Sequence, residues 1–252
     1  LPHLITLADI RGDLHMHTNA TDGRDTIRQM AEAALARGLA YIAITDHSKN
    51  LAMTNGLDDK RALAHIKQIR EIDARLQVEL EGRTHILPGI EVDILADGSL
   101  DLDDSTLAQM DIVVASVHSH FNQPVEEMTT RVLRALENPY VRIIGHPTGR
   151  KVLSREAYAI NIDAILKQAA KLGVAVEHNA SPARSDLNDL HLRLAKQHGC
   201  KIVVDTDAHA TEELDQMRYG ITQLRRAWLT PADILNTEPT AETMLKNLRP
   251  KP

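Results

Sequence analysis

Seven short runs of β-branched and other apolar residues alternate with longer helical patterns along this chain. The runs cover residues 12–18, 41–47, 85–95, 111–118, 141–147, 174–179 and 201–209. Between them, helical patterns such as 26–37 and 161–172 end at Gly38 and Gly173, as helices commonly do. Alternation repeated this often predicts an α/β fold with a parallel sheet. We expect a barrel of seven or eight strand–helix units, with a doubly wound open sheet as the alternative.

The composition fits one globular domain from a reducing compartment. The 252 residues include one Phe, one Trp and four Tyr, so the core must be aliphatic. No linker or composition break divides the chain, and we expect residues 1–252 to form a single domain. The single cysteine excludes a disulfide framework and favours the cytoplasm, and no apolar run is long enough to span a membrane. A start at Leu1 is compatible with a piece excised from a longer chain.

Every predicted strand ends in side chains that can bind metals or form hydrogen bonds. They are His15, His17, His47, Glu91, His118, His146, Glu177, Asn179, Asp207 and His209. The carboxyl ends of barrel strands form one face, so these groups should meet there. Burying so many titratable groups without cations would be very costly. Imidazoles and carboxylates suit Zn²⁺, Mn²⁺ or Fe²⁺, and this number of ligands predicts two or three ions.

Strand alternation and loop acids refine this prediction. His15 and His17 are two residues apart and share a face of their strand, as do Asp207 and His209. The loop residue Asp22 is either a further ligand or a turn residue. For Asp186, in a comparable loop, a turn or helix cap is the better interpretation.

The strand ends also form six ordered motifs. They read GDLHMHT (12–18), ITDHS (44–48), PGIEVDIL (88–95), ASVHS (115–119), GHPTGR (145–150) and DTDAH (205–209). Together they resemble the PHP (polymerase and histidinol phosphatase) superfamily, in particular the PHP domain that follows the polymerase core in bacterial X-family DNA polymerases. This resemblance covers nearly the whole chain and implies a distorted (β/α)₇ TIM-like barrel with a trinuclear metal site.

The resemblance also implies which residues bind which ion. The first ion would be held by His15, His17, Glu91 and Asp207. Glu91 would bridge to a second ion held by His118 and His146, and the third would be held by Asp22, His47 and His209. An HxH motif on a first strand is shared with the amidohydrolases. Amidohydrolases have a carbamylated lysine at a middle strand end, where this chain has Glu91 and His118, so we disfavour an amidohydrolase.

Two ions joined by a carboxylate lower the pKa of a shared water and clamp the oxygens of a phosphate. The predicted activity is therefore that of a metal-dependent phosphoesterase, with a metal-bound hydroxide, bridging Glu91 and Asp207 as the catalytic groups. Arg150 is a candidate to bind phosphate by forked hydrogen bonds, and Lys49 and Arg184 are weaker candidates.

The X-family resemblance implies a 3′-5′ exonuclease that processes DNA 3′ ends during repair, with a polymerase core in the same parent chain. One alternative is a small-molecule phosphatase or phosphotriesterase on the same scaffold. Another is a non-catalytic metal-binding module that stabilises a polymerase. The formal net charge of -6 argues against bulk electrostatic binding of nucleic acid, but divalent ions would make the mouth locally positive. Exposed charge along residues 58–75 favours a monomer.

Several residues near the predicted mouth depart from the family's usual residues. They are Ala20, His120, His178 and Ser185. His120 shares the face of His118 and could contact a ligand residue or the substrate. Strand alternation points His178 away from the metals, yet it remains a substrate-binding candidate because a polar residue replaces an aliphatic one. Either these changes widen or repolarise the pocket for another phosphoester, by divergence or engineering, or they are neutral drift.

Overall fold

Each predicted run contains one observed strand, and every observed strand is shorter than its run. The computed structural model describes residues 2–252, apart from the side chain at position 52. The seven strands β1 to β7 are parallel and lie in chain order within one sheet. They span Gly12–Asp13, Tyr41–Ile44, His85–Asp93, Ile112–Ser116, Ile143–Ile144, Ala175–Asn179 and Ile202–Asp205.

Helices follow the strands and cover the outside of the sheet. The α-helices α1 to α8 span Ile27–Ala36, Asp59–Glu79, Asp104–Leu107, Val125–Glu137, Ile162–Leu172, Asp189–Gln197, Met217–Arg226 and Ala241–Asn247. Short 3₁₀ helices span Leu7–Asp9, Ala52–Thr54, Thr211–Gln216, Pro231–Asp233 and Leu235–Thr237. The predicted helix ends at Gly38 and Gly173 are confirmed, because these glycines have φ of +80° and +72° just after α1 and α5. Within residues 2–252, no helix combines the length and the apolar character needed to cross a membrane.

The sheet closes into a barrel. Met16, just after β1, forms a parallel bridge with Ala208, just after β7. The His17 amide donates to the Ala208 carbonyl at 2.8 Å, and the Asp207 amide donates to the His15 carbonyl at 2.9 Å. The prediction of a distorted seven-stranded TIM-like barrel is confirmed, and the alternative of an open doubly wound sheet is wrong.

Side-chain alternation along the strands creates two apolar layers. In β2, Tyr41 and Ala43 point into the barrel, whereas Ile42 and Ile44 pack under the surrounding helices. The inner layer is closed at the amino-terminal end of the barrel by Met244 and other residues of α8 and its flanks. The segment after Trp228 is therefore part of the barrel core.

Side chains, rather than a continuous ladder, join β1 to β7. The Thr206 hydroxyl donates to Asp13 at 2.5 Å, and the Leu14 amide donates to Asp205 at 2.7 Å. Burial raises the pKa of Asp13 to about 6, although hydrogen bonds from Thr206 and His15 lower it. Two buried carboxyl groups thus supplement the backbone hydrogen bonds along this seam.

Asn236 completes the seam from the C-terminal segment. Its side-chain amide donates to the carbonyls of Gly12 (2.9 Å) and Val204 (2.6 Å), and its oxygen accepts from the Val204 amide (3.1 Å). The side chain is fully buried, so it satisfies backbone groups of both edge strands that no water could reach.

We expect Asn236→Ala to lower the free energy of unfolding by about 2–4 kcal/mol, because it leaves buried backbone groups of both strands unpaired. Urea denaturation followed by circular dichroism measures this loss. Asn247→Ala is the matched control, since the Asn247 side chain is exposed and donates to Glu238 of the same segment. Equal stability of the two variants would contradict the role of Asn236 in closing the barrel.

Candidate metal centre

The predicted ligand residues meet at the carboxyl end of the barrel. The first group contains all four residues expected for the first ion: His15, His17, Glu91 and Asp207, all buried. His17 Nε2 lies 3.0 Å from Asp207 Oδ1 and 3.5 Å from Glu91 Oε2. His15 Nε2 lies 3.3 Å from the same Glu91 oxygen. These ligand atoms are close enough to share one ion.

Glu91 also links this group to a second one. Its Oε1 lies 2.9 Å from His146 Nε2 and 3.2 Å from His118 Nε2, the pair expected at the second ion. His47 Nδ1 lies 3.0 Å from Glu91 Oε2, and His47, Glu91 and His118 together form a further group that could hold an ion. The structure therefore adds His47 to the neighbourhood in which sequence analysis expects only His118 and His146.

A third group surrounds Asp22 at the rim. Asp22 Oδ2 lies 3.4 Å from both His47 Nε2 and His209 Nε2, and Oδ1 lies 3.9 Å from His17 Nδ1. Asp22 thus sits among imidazoles as the ligand interpretation expects. The turn interpretation alone does not account for this, because the side chain faces the cluster.

Carboxylates behind the cluster orient the imidazoles. Glu177 accepts from His15 Nδ1 at 2.6 Å and from the His146 amide at 2.5 Å, and Asp93 pairs with His118 Nδ1. Such partners fix the ring and its tautomer, leaving the other nitrogen for a metal. Asp93 is not among the predicted site residues, although it lies two residues after Glu91 and so faces the same side of β3.

Asp46 supports the loop that carries Asp22. It accepts hydrogen bonds from the Thr18 amide at 2.8 Å, the Thr21 hydroxyl at 2.5 Å and His65 Nε2 at 2.8 Å. Asp46 lies beside the predicted ligand His47, which is a signal in the sequence, but its hydrogen-bond partners are 19 to 28 residues away and no local pattern predicts them.

The cluster keeps its carboxylates ionised. Burial would raise the pKa of Glu91, but the imidazoles of His118, His15 and His47 hold it well below its usual value. Burial, with His47 and His209 nearby, lowers the pKa of His17 to about 4. Burial and Arg184 lower the pKa of His146 to about 3. Burial also lowers the pKa of four further histidines, but nearby carboxylates raise it above its usual value in His15, His47, His118 and His209. Divalent ions would therefore displace protons from these imidazoles when they bind.

Buried nitrogen and oxygen atoms without hydrogen-bond partners fit a metal cluster. They include His15 Nε2, His17 Nδ1, His118 Nε2 and Glu91 Oε2. Each faces another ligand residue of the cluster. Buried polar atoms are rarely left unpaired, and a cation at each group would satisfy all of them. The donor set of nitrogen and oxygen suits Zn²⁺, Mn²⁺ or Fe²⁺.

Of the basic substrate-binding candidates, the structure brings one to the cluster. Arg184 Nε lies 3.1 Å from Asp207 Oδ2, and its Nη1 is buried without a partner. Arg150 does form forked hydrogen bonds, but to the carbonyls of Arg184 and Ser185. It therefore braces the loop that carries Arg184. Lys49 pairs instead with Asp59 at 3.0 Å.

The residues near the mouth that differ from the family's usual residues lie in different environments. His178 is fully buried and bonds the Leu187 carbonyl at 2.7 Å, so its proposed substrate contact is wrong and the direction given by strand alternation is right. His120 is exposed with φ of +54°. Ser185 contributes its carbonyl to Arg150. Asp186 was expected in a turn or helix cap; it accepts instead from the Thr148 amide and hydroxyl of another loop, and Asn188 caps the following helix.

The sequence matches the family model described as PHP domain over residues 13–181. The chain belongs to the PHP domain family. It is 48% identical over 233 residues to the DNA polymerase/3′-5′ exonuclease PolX of Bacillus subtilis (strain 168). The alignment covers 92% of this chain and 40% of that polymerase, so the PHP domain described here spans less than half of that relative.

Other relatives match the PHP domain along most of their length. A probable phosphatase of Thermoanaerobacter sp. (strain X514) is 31% identical over 237 residues, which is 90% of each chain. The crystal structure of histidinol phosphate phosphatase from Lactococcus lactis, complexed with zinc, L-histidinol and phosphate, superposes with a TM-score of 0.62. At 20% identity, with 87% of this chain and 94% of that one covered, it supports the fold. The chain is thus a PHP-family metal-dependent phosphoesterase.

We expect Glu91→Gln to lower the metal content by at least one ion per chain, because the neutral amide is a poor bridging ligand. Inductively coupled plasma mass spectrometry on protein dialysed against Zn²⁺ or Mn²⁺ measures the content. Glu79→Gln, an exposed change on α2, is the matched control. A Glu91→Gln protein with the same metal content as the control would contradict the central position of Glu91 in the cluster.

Proposed function

We propose that this PHP domain hydrolyses phosphodiesters at DNA 3′ ends, as a 3′-5′ exonuclease that uses two or three divalent ions. The observation that carries the proposal is the three ligand groups linked through Glu91 and His47 at the base of an open cleft of about 700 Å³. When bound, divalent ions supply a Lewis acid for phosphate oxygens and activate water at neutral pH. Zinc in the histidinol phosphate phosphatase structure supports such ions here.

The residues of the chain position the phosphate beside these ions. Asp207 accepts from Arg184 Nε, which fixes the guanidinium and leaves its Nη1 without a partner. A phosphate oxygen is the acceptor that this buried donor fits, because guanidinium and phosphate form strong charge-assisted hydrogen bonds. Glu91 and Asp207 hold the ligand groups together through their several imidazole contacts. We assign ligand roles to the nine predicted metal residues on this geometry.

Similarity to PolX supports DNA as the substrate. The relative whose name includes a 3′-5′ exonuclease is 48% identical to this chain, compared with 31% for the probable phosphatase. The second candidate is a small phosphoester, and the probable phosphatases favour it because they align with this chain over most of their length. The cleft has one aromatic residue, Phe121, among its described lining residues, fewer than single-strand binding usually uses.

We expect the Mn²⁺-loaded domain to shorten a 5′-labelled single-stranded oligonucleotide from its 3′ end. Asp207→Ala and His118→Ala should each reduce the rate by at least about 100-fold, because each removes a ligand at the reacting phosphate. Gel electrophoresis of the labelled products measures the rate. His85→Ala serves as the control, because His85 is exposed and lies at the amino-terminal end of β3.

The outcomes separate the candidate functions. A ladder of shortened products that is lost in both variants supports the exonuclease. Release of phosphate from small monoesters, with no shortening of the oligonucleotide, favours the small-molecule phosphatase. A metal-loaded protein that hydrolyses neither substrate contradicts the proposal and favours a structural module.

A further inference from the structure

Three cations line one wall of the cleft. They are Arg184, Lys151 and Arg155. The acidic residues of the lining are already engaged, because Asp22 and Asp207 belong to the ligand groups and Glu213 accepts from the His209 amide at 2.8 Å. The wall therefore presents more positive charge than binding of one phosphate by Arg184 requires.

Arg155 is held rigidly at the cleft. Its guanidinium carbon lies 4.0 Å from the centre of the Phe121 ring, in a cation–π contact. Its Nε and Nη2 both donate to the Gly149 carbonyl, at 2.9 and 2.6 Å. A side chain fixed in this way loses little conformational entropy when it binds an anion.

Lys151 lies on the same rigid loop. The amides and carbonyls of Lys151 and Arg155 bond each other reciprocally at 2.8 Å, and the Val152 amide donates to the Ala183 carbonyl at 2.7 Å. The loop is thereby pinned to the one that carries Arg184. Burial, Arg184 and Arg155 all lower the pKa of Lys151. Cations placed this close repel one another, and an anion between them relieves the repulsion.

We propose that Lys151 and Arg155 bind the next phosphate of a single-stranded nucleic acid, one nucleotide 5′ of the phosphate that is hydrolysed. The inference rests on the proposed function and names the part of the substrate that extends beyond the metal cluster. Arg184 contacts the ligand residue Asp207, and Lys151 and Arg155 line the same cleft on the loop that is pinned beside Arg184. A substrate with a single phosphate has no group to place against the outer pair.

The test measures binding of the metal-loaded protein to a 5′-fluorescein oligothymidylate whose 3′-terminal linkage is a hydrolysis-resistant phosphorothioate. A second probe carries a neutral methylphosphonate at the adjacent linkage. We expect the neutral linkage to raise the Kd of the unaltered protein at least 5-fold in fluorescence anisotropy. Lys151→Ala/Arg155→Ala should raise the Kd for the charged probe by a similar factor. The neutral linkage should then raise the Kd of this variant no further, because both changes remove the same contact.

Lys67→Ala/Arg70→Ala removes the same charge from the exposed face of α2 and is the matched control. Additive losses, or an equal loss in this control, would overturn the assignment, because either result means that only bulk charge is involved. A parallel assay uses unmodified oligonucleotide and measures cleavage. Non-additive binding losses without cleavage would support the second phosphate site and count against the proposed function. Cleavage with additive binding losses would support the proposed function and overturn the second phosphate site.

Discussion

The burial of one carboxylate is the constraint on which the mouth of the barrel depends. Five imidazoles lie within 3.5 Å of Glu91, whose side chain is 1% exposed: His15, His17, His47, His118 and His146. A carboxylate removed from water costs several kcal/mol unless partners replace its solvation. Those partners come from the ends of β1, β2, β4 and β5, so they reach Glu91 only when the strands are arranged around it. The cluster can therefore assemble only once these strands have formed the barrel.

The positions of the ligand residues could be predicted because they follow from strand direction and alternation. Parallel strands bring their carboxyl ends together, and residues two apart share a face, as Glu91 and Asp93 do. The same rule predicts that His178 points out of the barrel, and the structure agrees. Strand lengths were overestimated, because the predicted runs included the ligand residues that follow the last ladder pair, such as His17, His47 and Asp207.

Contacts between distant loops could not be predicted. Arg150 donates to carbonyls 34 and 35 residues away in the sequence, although it was predicted to bind a phosphate. Phe121 lies under Arg155 only because the loops after β4 and β5 converge. Such contacts depend on loop paths that no periodic pattern encodes. The support of His65 for Asp46 also depends on the packing of α2 against the sheet.

The way in which Asn236 and α8 complete the barrel has a consequence for how the chain can be divided. Sequence alternation ends with β7, so a boundary drawn after Trp228 looks natural. Such a cut would remove the amide that bonds Gly12 and Val204, and also Met244, which fills the inner layer. The segment after Trp228 completes the barrel wall and also fills the amino-terminal end of the inner layer. A truncation before Leu248, whose side chain lies in that same layer, would therefore expose the inner core at its amino-terminal end.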